Sequence, residues 1–257
     1  MLGAIAGDII GSVFESSPVK TKDFDLFSRD SIFTDDTVLT VAVAKVLLTQ
    51  SSYKQAYRDF YRQYPDQGYG YGFSCWAAAP DDVPYYSYGN GSAMRVNPIG
   101  WVHDNMEDIL AEARRSAIVT HNHAEGIKGA QAVAAAIFMA RNNYSKTGIK
   151  DFIAATFNYD LDRKLDDIRP DYSFNVSCQG SVPESIIAFL ESTSYEDAVR
   201  NAVSLGGDSD TMACIAGAIA EAFYKNIDAD IISDIFARLP PDLAEITRQF
   251  TGKYCHY

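Results

Sequence analysis

The chain has 257 residues, 47% hydrophobic and 22% charged, which is the composition of an ordinary globular protein with a substantial core. Its formal net charge of −12 argues against a protein that tracks nucleic-acid phosphates, because such proteins carry a basic face. The apolar N-terminus has no basic region before it, and no apolar run approaches the ~18–20 residues that span a bilayer. Neither a signal peptide nor a membrane helix is therefore expected.

The first three predicted elements are helices. The segment 4–14 alternates small and large apolar residues and places Gly7 and Gly11 on one face, where another backbone or a ligand can come close. The segment 38–48 is apolar on nearly all sides, which predicts a buried helix, and 53–64 is amphipathic. The chain thus opens with helices that have extensive apolar surface to bury.

The next segment, 65–98, is predicted to be a long loop, because prolines and glycines interrupt it throughout. A loop of this length inside a compact domain is usually functional. Helical patterns then dominate to the end of the chain: 106–117, 124–140, 149–157, 183–191, 195–204, 211–224, 230–238 and a last helix opened by Pro241 or its neighbour. With strand signals nearly absent and no linker, we expect one compact all-α domain over 1–257 with a helix-lined cleft.

The cysteines are scattered along the chain and none forms a CxxC pair, so neither a zinc site nor a redox motif is indicated. Cys214 lies within an apolar helical run, which is typical of a small core residue. Reduced thiols are expected in a cytoplasmic protein.

Two similar acidic clusters precede predicted helices: TDDT at 34–37 and DSDT at 208–211. They contain carboxylates and hydroxyls but no Cys or His, and such oxygen donors suit Mg²⁺, Mn²⁺ or Ca²⁺ rather than Zn²⁺ or Cu²⁺. If the fold brings the clusters together, they form a site for hard cations. A metal-dependent enzyme is then the favoured interpretation.

Helix capping is the alternative interpretation of both clusters, since Asp, Ser and Thr before a helix are standard N-caps. One cap needs one oxygen, however, whereas each cluster places two carboxylates within three positions. Adjacent carboxylates repel, and a divalent cation would remove that repulsion. Gly206 and Gly207 also permit a tight turn that directs the second cluster inward. The two interpretations are compatible.

The tyrosine- and glycine-rich segments are candidates for binding a phosphate and a base. GYGYG at 68–72 offers backbone N–H groups beside aromatic faces, although a plain flexible loop is the alternative. GNGS at 89–92 has an Asn-Gly turn as its alternative. His121 and His123 are spaced i, i+2 and point apart, so a cap or one ligand-binding histidine is more plausible than a zinc pair.

Glu15 follows the first helix and precedes a loop. A solvated glutamate at a helix end is one interpretation. General acid or base catalysis is the other, because carboxylates that hold cations make poor free bases and a hydrolase would need one more.

Taken together, these segments resemble the ADP-ribosylglycohydrolase family over nearly the whole chain. The resemblance starts at GAIAGDIIG (3–11) and continues through Glu15, FTDDT (33–37), GYG (68–70), YGNGSAMR (88–95), Thr120-His121 and GGDSDT (206–211). Each segment alone is weak, but six in the family's order are highly specific.

The resemblance implies an all-α fold with two Mg²⁺ or Mn²⁺ ions in a central cleft, and it assigns roles to residues that match the family's motifs. The implied metal ligands are Thr34, Asp35, Asp36, Asp208, Asp210 and Thr211. The implied substrate-binding residues are Gly68, Tyr69, Gly70, Ser87, Tyr88, Gly89, Asn90 and His121. The predicted catalytic residues are Glu15, as the acid or base, and Asp36, which is also one of the implied metal ligands.

The implied reaction is hydrolysis at the ribose anomeric carbon of ADP-ribosylated proteins or small ADP-ribose conjugates, which releases ADP-ribose. The Gly-Tyr-Gly and Tyr-Gly-Asn-Gly segments look closer to the serine-directed branch than to the arginine-directed branch. Asp66 lies near a catalytic aspartate of some relatives, so the identity of the base stays open. The alternatives are a catalytically silent ADP-ribose-binding or nucleotide-binding module and a purely structural all-α partner protein. No heptads are visible, and a monomer is expected.

Overall fold

The computed structural model describes residues 1–80 and 83–255, and within these ranges the chain forms helices and one isolated bridge between Gly89 and Ser177, with no strand. No helix in the described ranges has both the length and the apolar character to cross a membrane. The helices are α1 Leu2–Glu15, α2 Asp35–Thr49, α3 Tyr53–Gln63, α4 Tyr71–Ala78, α5 Gly91–Met94, α6 Ile99–Val102, α7 Met106–Ala117, α8 Ala124–Arg141, α9 Lys146–Phe157, α10 Leu165–Ile168, α11 Cys178–Leu190, α12 Tyr195–Val203, α13 Ser209–Tyr224, α14 Ala229–Arg238 and α15 Pro241–Tyr254.

The predicted all-α class is confirmed, and every helix expected from the sequence is present. One hydrophobic core includes residues from Met1, the N-cap of α1, to Phe250 in α15. The prediction of a single domain over 1–257 also covers positions 81–82 and 256–257, which lie outside the described residues. The cysteines are free, and Cys214 is buried in α13 as expected.

Two sequence predictions are corrected by the structure. The segment 65–98 contains α4 and α5, so it is not a continuous loop: Phe73, Trp76 and Ala77 give α4 a short buried face. The helix predicted from Pro183 begins instead at Cys178, where Ser177 accepts a hydrogen bond from the Gly180 amide. Pro183 therefore lies inside α11, near its start. Because proline has no backbone N–H, it removes one hydrogen bond of the helix.

Helices α1 and α13 pack with their backbones in close contact. A methyl group added to Gly7 would lie 2.1 Å from the carbonyl oxygen of Ala213, and one added to Gly11 would lie 2.4 Å from that of Ser209. Gly3 meets the carbonyl oxygen of Gly217 in the same way, at 2.4 Å. The glycine face predicted from the sequence is thus the contact face of α1, and it brings the acidic N-terminal turn of α13 against α1.

Candidate active site

A cleft of about 340 Å³ opens where the N-terminal turns of α2 and α13 meet the end of α1. Every residue predicted to belong to the site lines it except Tyr69 and Tyr88: Glu15, Thr34, Asp35, Asp36, Gly68, Gly70, Ser87, Gly89, Asn90, His121, Asp208, Asp210 and Thr211. The chain therefore folds so that the two acidic clusters share one cleft.

The two clusters are in direct contact. The Thr211 hydroxyl, in the first turn of α13, donates to Asp36 Oδ2 of α2 across 3.1 Å. Asp36, Asp210 and Thr211 are buried, and Asp35 is half-buried with its carboxylate facing Gly68. The clusters therefore present their oxygens to the same volume from two helices.

Helix capping explains only part of these clusters. Thr34 is the N-cap of α2, and its hydroxyl accepts from the Asp36 amide at 3.3 Å. Asp208 occupies the N-cap position of α13, but its side chain forms no capping bond and instead accepts from the Asn90 side-chain amide at 2.8 Å. The carboxylates of the clusters thus remain directed toward the cleft.

Asp8, in the middle of α1, belongs to the site and was missed by the sequence analysis. Its Oδ2 accepts from the amides of Thr34 and Thr37, each at 3.0 Å, and from the Thr37 hydroxyl, while its Oδ1 accepts from the Thr34 hydroxyl at 2.7 Å. A fully buried carboxylate thus anchors the start of α2 on α1. The sequence feature that could have identified Asp8 as a site residue is its position as an aspartate within an otherwise apolar helix that contains regularly spaced glycines.

The carboxylates form two overlapping groups that fit hard cations. Oxygens of Asp8, Asp36 and Asp210 lie within 4.8 Å of one another, as do oxygens of Glu15, Asp208 and Asp210. Burial, followed by the charges of neighbouring aspartates, raises the pKa of Asp36 and of Asp210 well above the ordinary value. Asp36 Oδ1 is buried without a hydrogen-bond partner. A group of such oxygens, mutually repulsive and incompletely hydrogen-bonded, suits a divalent cation.

Glu15 differs from the aspartates in its exposure. It is the last residue of α1 and is exposed at the edge of the group that it forms with Asp208 and Asp210. Burial of part of the side chain, the charge of Asp208 and that of Asp8 raise its pKa above the ordinary value. A carboxyl group that reaches both solvent and the acidic cluster, with a raised pKa, is suited to exchange protons.

The glycine-rich segment lines the cleft through backbone rather than tyrosine side chains. Gly68 has φ = +85°, a conformation that favours glycine, and no neighbouring atom lies within 4 Å of the space beside Gly70. The Tyr69 ring instead stacks on Phe73 at 5.3 Å. Open backbone at these glycines leaves room for a ligand to approach closely.

Two further residues from the sequence analysis lie away from the cleft. The Tyr88 ring packs edge-on against His123, with centroids 5.5 Å apart, and His123 caps α8 by accepting from the Glu125 amide at 3.0 Å. Asp66 is exposed and does not line the cleft. Glu15 and Asp66 were the candidates for the catalytic base, and of these two only Glu15 lines the cleft.

The cleft is also lined by residues that the sequence did not single out. Arg95 is fully buried beside His121, while Tyr85, Phe174 and Val176 add apolar surface. Burial, followed by the charge of Arg95, lowers the pKa of His121 well below the ordinary value, which favours the neutral ring. The lining thus combines acidic and apolar groups, as expected for a ligand with both polar and aromatic parts.

Comparison with known proteins places the chain among relatives of one family. The family model for ADP-ribosylglycohydrolase matches residues 1–254. ADP-ribosylhydrolase ARH3 of Xenopus tropicalis is 26% identical over 301 residues, covering 87% of this chain and 85% of the relative. ARH3 of Homo sapiens is 25% identical over 304 residues, covering 87% and 84%.

A solved structure described as an ADP-ribosylglycohydrolase-related protein complex superposes with a TM-score of 0.73 at 22% identity, covering 97% of this chain and 95% of that one. At this identity the likeness supports the fold alone. The match of the family model over almost all of the sequence, together with the ARH3 relatives, identifies the chain as a hydrolase of glycosyl bonds that belongs to the ADP-ribosylglycohydrolase family.

Proposed function

We propose that this protein hydrolyses the bond between the ribose anomeric carbon and an O- or N-linked group of ADP-ribosylated proteins or small ADP-ribose conjugates, with release of ADP-ribose. The observation that carries the proposal is the convergence of both acidic clusters and Glu15 on one cleft, with oxygens of Glu15, Asp208 and Asp210 within 4.8 Å. The ADP-ribosylhydrolase relatives support the substrate class.

Two divalent cations, Mg²⁺ or Mn²⁺, would be held by Thr34, Asp35, Asp36, Asp208, Asp210 and Thr211. They would orient the ribose hydroxyls and a water molecule and offset negative charge. Asp8 supports this set, since it fixes Thr34 by two hydrogen bonds. The oxygen-only donors and the orphaned Asp36 Oδ1 favour a hard ion.

Glu15 is the proposed acid and base. Hydrolysis breaks the bond from the anomeric carbon to the leaving atom and forms a bond to water oxygen, through an oxocarbenium-like transition state. The water loses one proton and the leaving group gains one, and a single exposed carboxyl at the edge of the cluster can exchange both. Asn90 keeps Asp208 oriented by its 2.8 Å hydrogen bond. Gly68, Gly70, Ser87, Gly89 and His121 line the space proposed for the ADP-ribosyl group.

A hydrolysis panel tests the proposal directly. Serine-linked, arginine-linked and polymeric ADP-ribose and O-acetyl-ADP-ribose would be incubated with the protein, with Mg²⁺ or Mn²⁺ or with EDTA, and released ADP-ribose would be measured by chromatography. We expect release from at least one conjugate, loss of release in EDTA and recovery with either cation. The resemblance of the Gly-Tyr-Gly and Tyr-Gly-Asn-Gly segments to the serine-directed branch of the family favours an O-linked conjugate. Full activity in chelator would contradict the metal role.

The double variant Asp36→Ala, Asp208→Ala tests the ligand set separately from catalysis. We expect it to stay folded by circular dichroism but to lose cation binding in calorimetry. Two ions bound as in the wild type would contradict the assignment. Binding of ADP-ribose without turnover of any conjugate by the wild type would instead favour the catalytically silent module.

A further inference from the structure

Three buried polar side chains, Arg95, Thr120 and His121, form a hydrogen-bonded series beside the cleft, which Arg95 and His121 line. Arg95 Nη2 donates to the Thr120 hydroxyl oxygen at 2.8 Å, and that oxygen lies 2.7 Å from His121 Nδ1. Arg95 and Thr120 are fully buried and His121 is 4% exposed. Water therefore does not compete for the bonds within this series.

The direction of these hydrogen bonds follows from the guanidinium group of Arg95. A guanidinium can only donate, so the Thr120 oxygen accepts from Arg95. The Thr120 hydroxyl hydrogen then needs an acceptor, and His121 Nδ1 is the one that the described residues place within reach. If Nδ1 carried the proton, the Thr120 oxygen would face two donors and its own hydrogen would be left unpaired in a buried site, which is unfavourable. The proton of the neutral ring is therefore on Nε2.

The Nε2 atom is at the end of the ring that faces the glycine loop of the cleft. Methyl groups added to Gly89 and Gly91 would lie 3.5 Å and 3.2 Å from Nε2. Within the described residues, Nε2 makes no hydrogen bond to the protein, and His121 lines the cleft. Its N–H is thus available to a ligand.

Arg95 is itself held in place. Its guanidinium lies over the Tyr57 ring, 4.1 Å from the ring centre, and Nη2 also donates to the Ser116 carbonyl at 3.3 Å. The Tyr57 hydroxyl hydrogen-bonds the Ser116 side chain at 2.7 Å. Arg95 is therefore held by Tyr57 of α3 and by Ser116 of α7.

We propose that Arg95 and Thr120 are positioning residues that fix His121 as its Nε2–H tautomer, so that His121 donates a hydrogen bond to an oxygen of the bound ADP-ribosyl group. The acceptor is a ribose hydroxyl or phosphate oxygen. This inference rests on the proposed function for the identity of the ligand, but the tautomer is a property of the protein alone.

Nitrogen-15 NMR of the Mg²⁺-loaded protein tests the tautomer without substrate. The chain has four histidines, and His121→Asn identifies the resonances of His121 by their loss. We expect the wild type to show a single neutral tautomer with the proton on Nε2. A proton on Nδ1 would overturn the proposal even if the protein proves to be an active hydrolase. If no conjugate is hydrolysed, the NMR result still stands and the proposed function alone fails.

Variants of Thr120 test the consequence for binding. Thr120→Val removes the hydroxyl and keeps the shape, so we expect mixed tautomers and a KM, or a Kd for ADP-ribose, about threefold to tenfold higher, the value of one hydrogen bond. The kcat should change less than KM. Thr120→Ser should restore both the single tautomer and the KM. Thr247→Val is the matched control, because Thr247 is equally buried but in α15, away from the cleft.

Tautomer mimics at position 121 provide a second test if Thr120→Val does not fold. The amide nitrogen of Gln occupies the place of Nε2, whereas that of Asn occupies the place of Nδ1. We expect His121→Gln to keep a KM closer to that of the wild type than His121→Asn. An unchanged KM in both Thr120→Val and His121→Asn, or equal losses in the Gln and Asn variants, would overturn the proposal.

Discussion

Glu15 and the aspartates of the cleft are all carboxylates, yet their surroundings give them different tasks. Asp8, Asp36, Asp208 and Asp210 are buried among hydrogen-bond donors and one another, whereas Glu15 is exposed at the edge of the group. A buried carboxylate is suited to hold a cation, and an exposed one with a raised pKa is suited to transfer a proton.

Glu15→Gln should therefore separate catalysis from cation binding. We expect kcat to fall by about 10²–10⁴-fold, the usual contribution of a general acid or base, with little change in stability because the side chain is exposed. The measurement is kcat on the best conjugate of the panel, with Mn²⁺ binding followed by calorimetry. Glu245→Gln, an exposed glutamate in α15, is the control. A Glu15→Gln variant with wild-type kcat would assign the proton transfer to another group.

Asp8→Asn tests whether the aspartate in α1 organises the cation site. The amide oxygen of Asn can take the place of Oδ2, but the NH₂ group that replaces Oδ1 cannot accept from the Thr34 hydroxyl, so the Thr34 side chain should lose its fixed position. Changes of this kind around metal ligands lower affinity by about 10–100-fold, and calorimetric titration with Mn²⁺ would measure the loss.

Asp197→Asn is the matched control for Asp8→Asn. Asp197 also accepts from a threonine, through the Thr193 amide at 2.8 Å and the Thr193 hydroxyl at 3.0 Å, but at the start of α12. Cation affinity should not change in this variant. Equal affinity in Asp8→Asn and the wild type would show that Asp8 has no influence on the site.

At the scale of elements, the site depends on how closely α1 and α13 approach. Gly7→Ala would place a methyl group 2.1 Å from the Ala213 carbonyl oxygen, which is backbone and cannot turn aside. We expect destabilisation of about 2–3 kcal/mol or more, as for overpacked cores, together with weaker cation binding because α13 carries Asp208 and Asp210. Urea unfolding measures the first effect and calorimetry the second.

Gly252→Ala is the control for Gly7→Ala. Gly252 is in α15, and no atom lies within 4 Å of the added methyl group, so alanine should stabilise this helix by about 0.5–1 kcal/mol. If both alanine variants were as stable as the wild type, the close contact of α1 and α13 would not be required.

The elements also show which features a sequence can predict. Helical patterns along the chain and the near absence of strand signals predicted the all-α class. The acidic clusters alone left their convergence open, and only the resemblance to the family implied that 34–37 and 208–211 share the cleft in which the structure places them. Asp8 was missed because its partners, Thr34 and Thr37, are distant in sequence. The start of α11 was misplaced because Pro183 resembles a helix start and only the Ser177 cap reveals the true one.

The contacts of Arg95 and of the loop tyrosines could not be predicted from local sequence patterns either. Arg95 follows a glycine-rich turn in sequence, and nothing nearby indicates that Tyr57 and Thr120 will enclose its guanidinium. Tyr69 and Tyr88, in contrast, had the expected composition for a stacking site but pack against Phe73 and His123. Which face of a tyrosine-rich loop meets the ligand is decided by tertiary packing.

For the whole molecule, we expect the buried carboxylates to make stability depend on cations. The raised pKa values of Asp36 and Asp210 mean that the folded, metal-free protein binds more protons than the unfolded chain. Their contribution to the free energy of unfolding is fully present below the unfolded pKa of about 4 and is lost as pH rises through the folded pKa. Above the folded pKa the metal-free protein should thus contain repelling, uncompensated charges.

The double variant Asp36→Asn, Asp210→Asn removes those charges while nearly preserving shape. We expect it to lose less stability than the metal-free wild type as pH rises, and to show no stabilisation by Mg²⁺. The wild type, in contrast, should gain about 2.7 kcal/mol for each bound ion at a Mg²⁺ concentration of 100 Kd. Calorimetric melting in EDTA and in Mg²⁺ measures both effects, and the comparison at each pH cancels the opposing contribution of His121, whose pKa is lowered.

The stability of this double variant in EDTA also shows whether the two aspartates stabilise the metal-free fold. If the double variant were less stable than the wild type in EDTA, the aspartates would stabilise the fold through their hydrogen bonds, such as that from Thr211 to Asp36. If it were more stable, then the wild-type fold retains four buried aspartates, Asp8, Asp36, Asp208 and Asp210, at the expense of its own metal-free stability. In that case Asp36 and Asp210 would not serve the stability of the metal-free fold, and the gain in stability with Mg²⁺ would measure how far a cation compensates their charges.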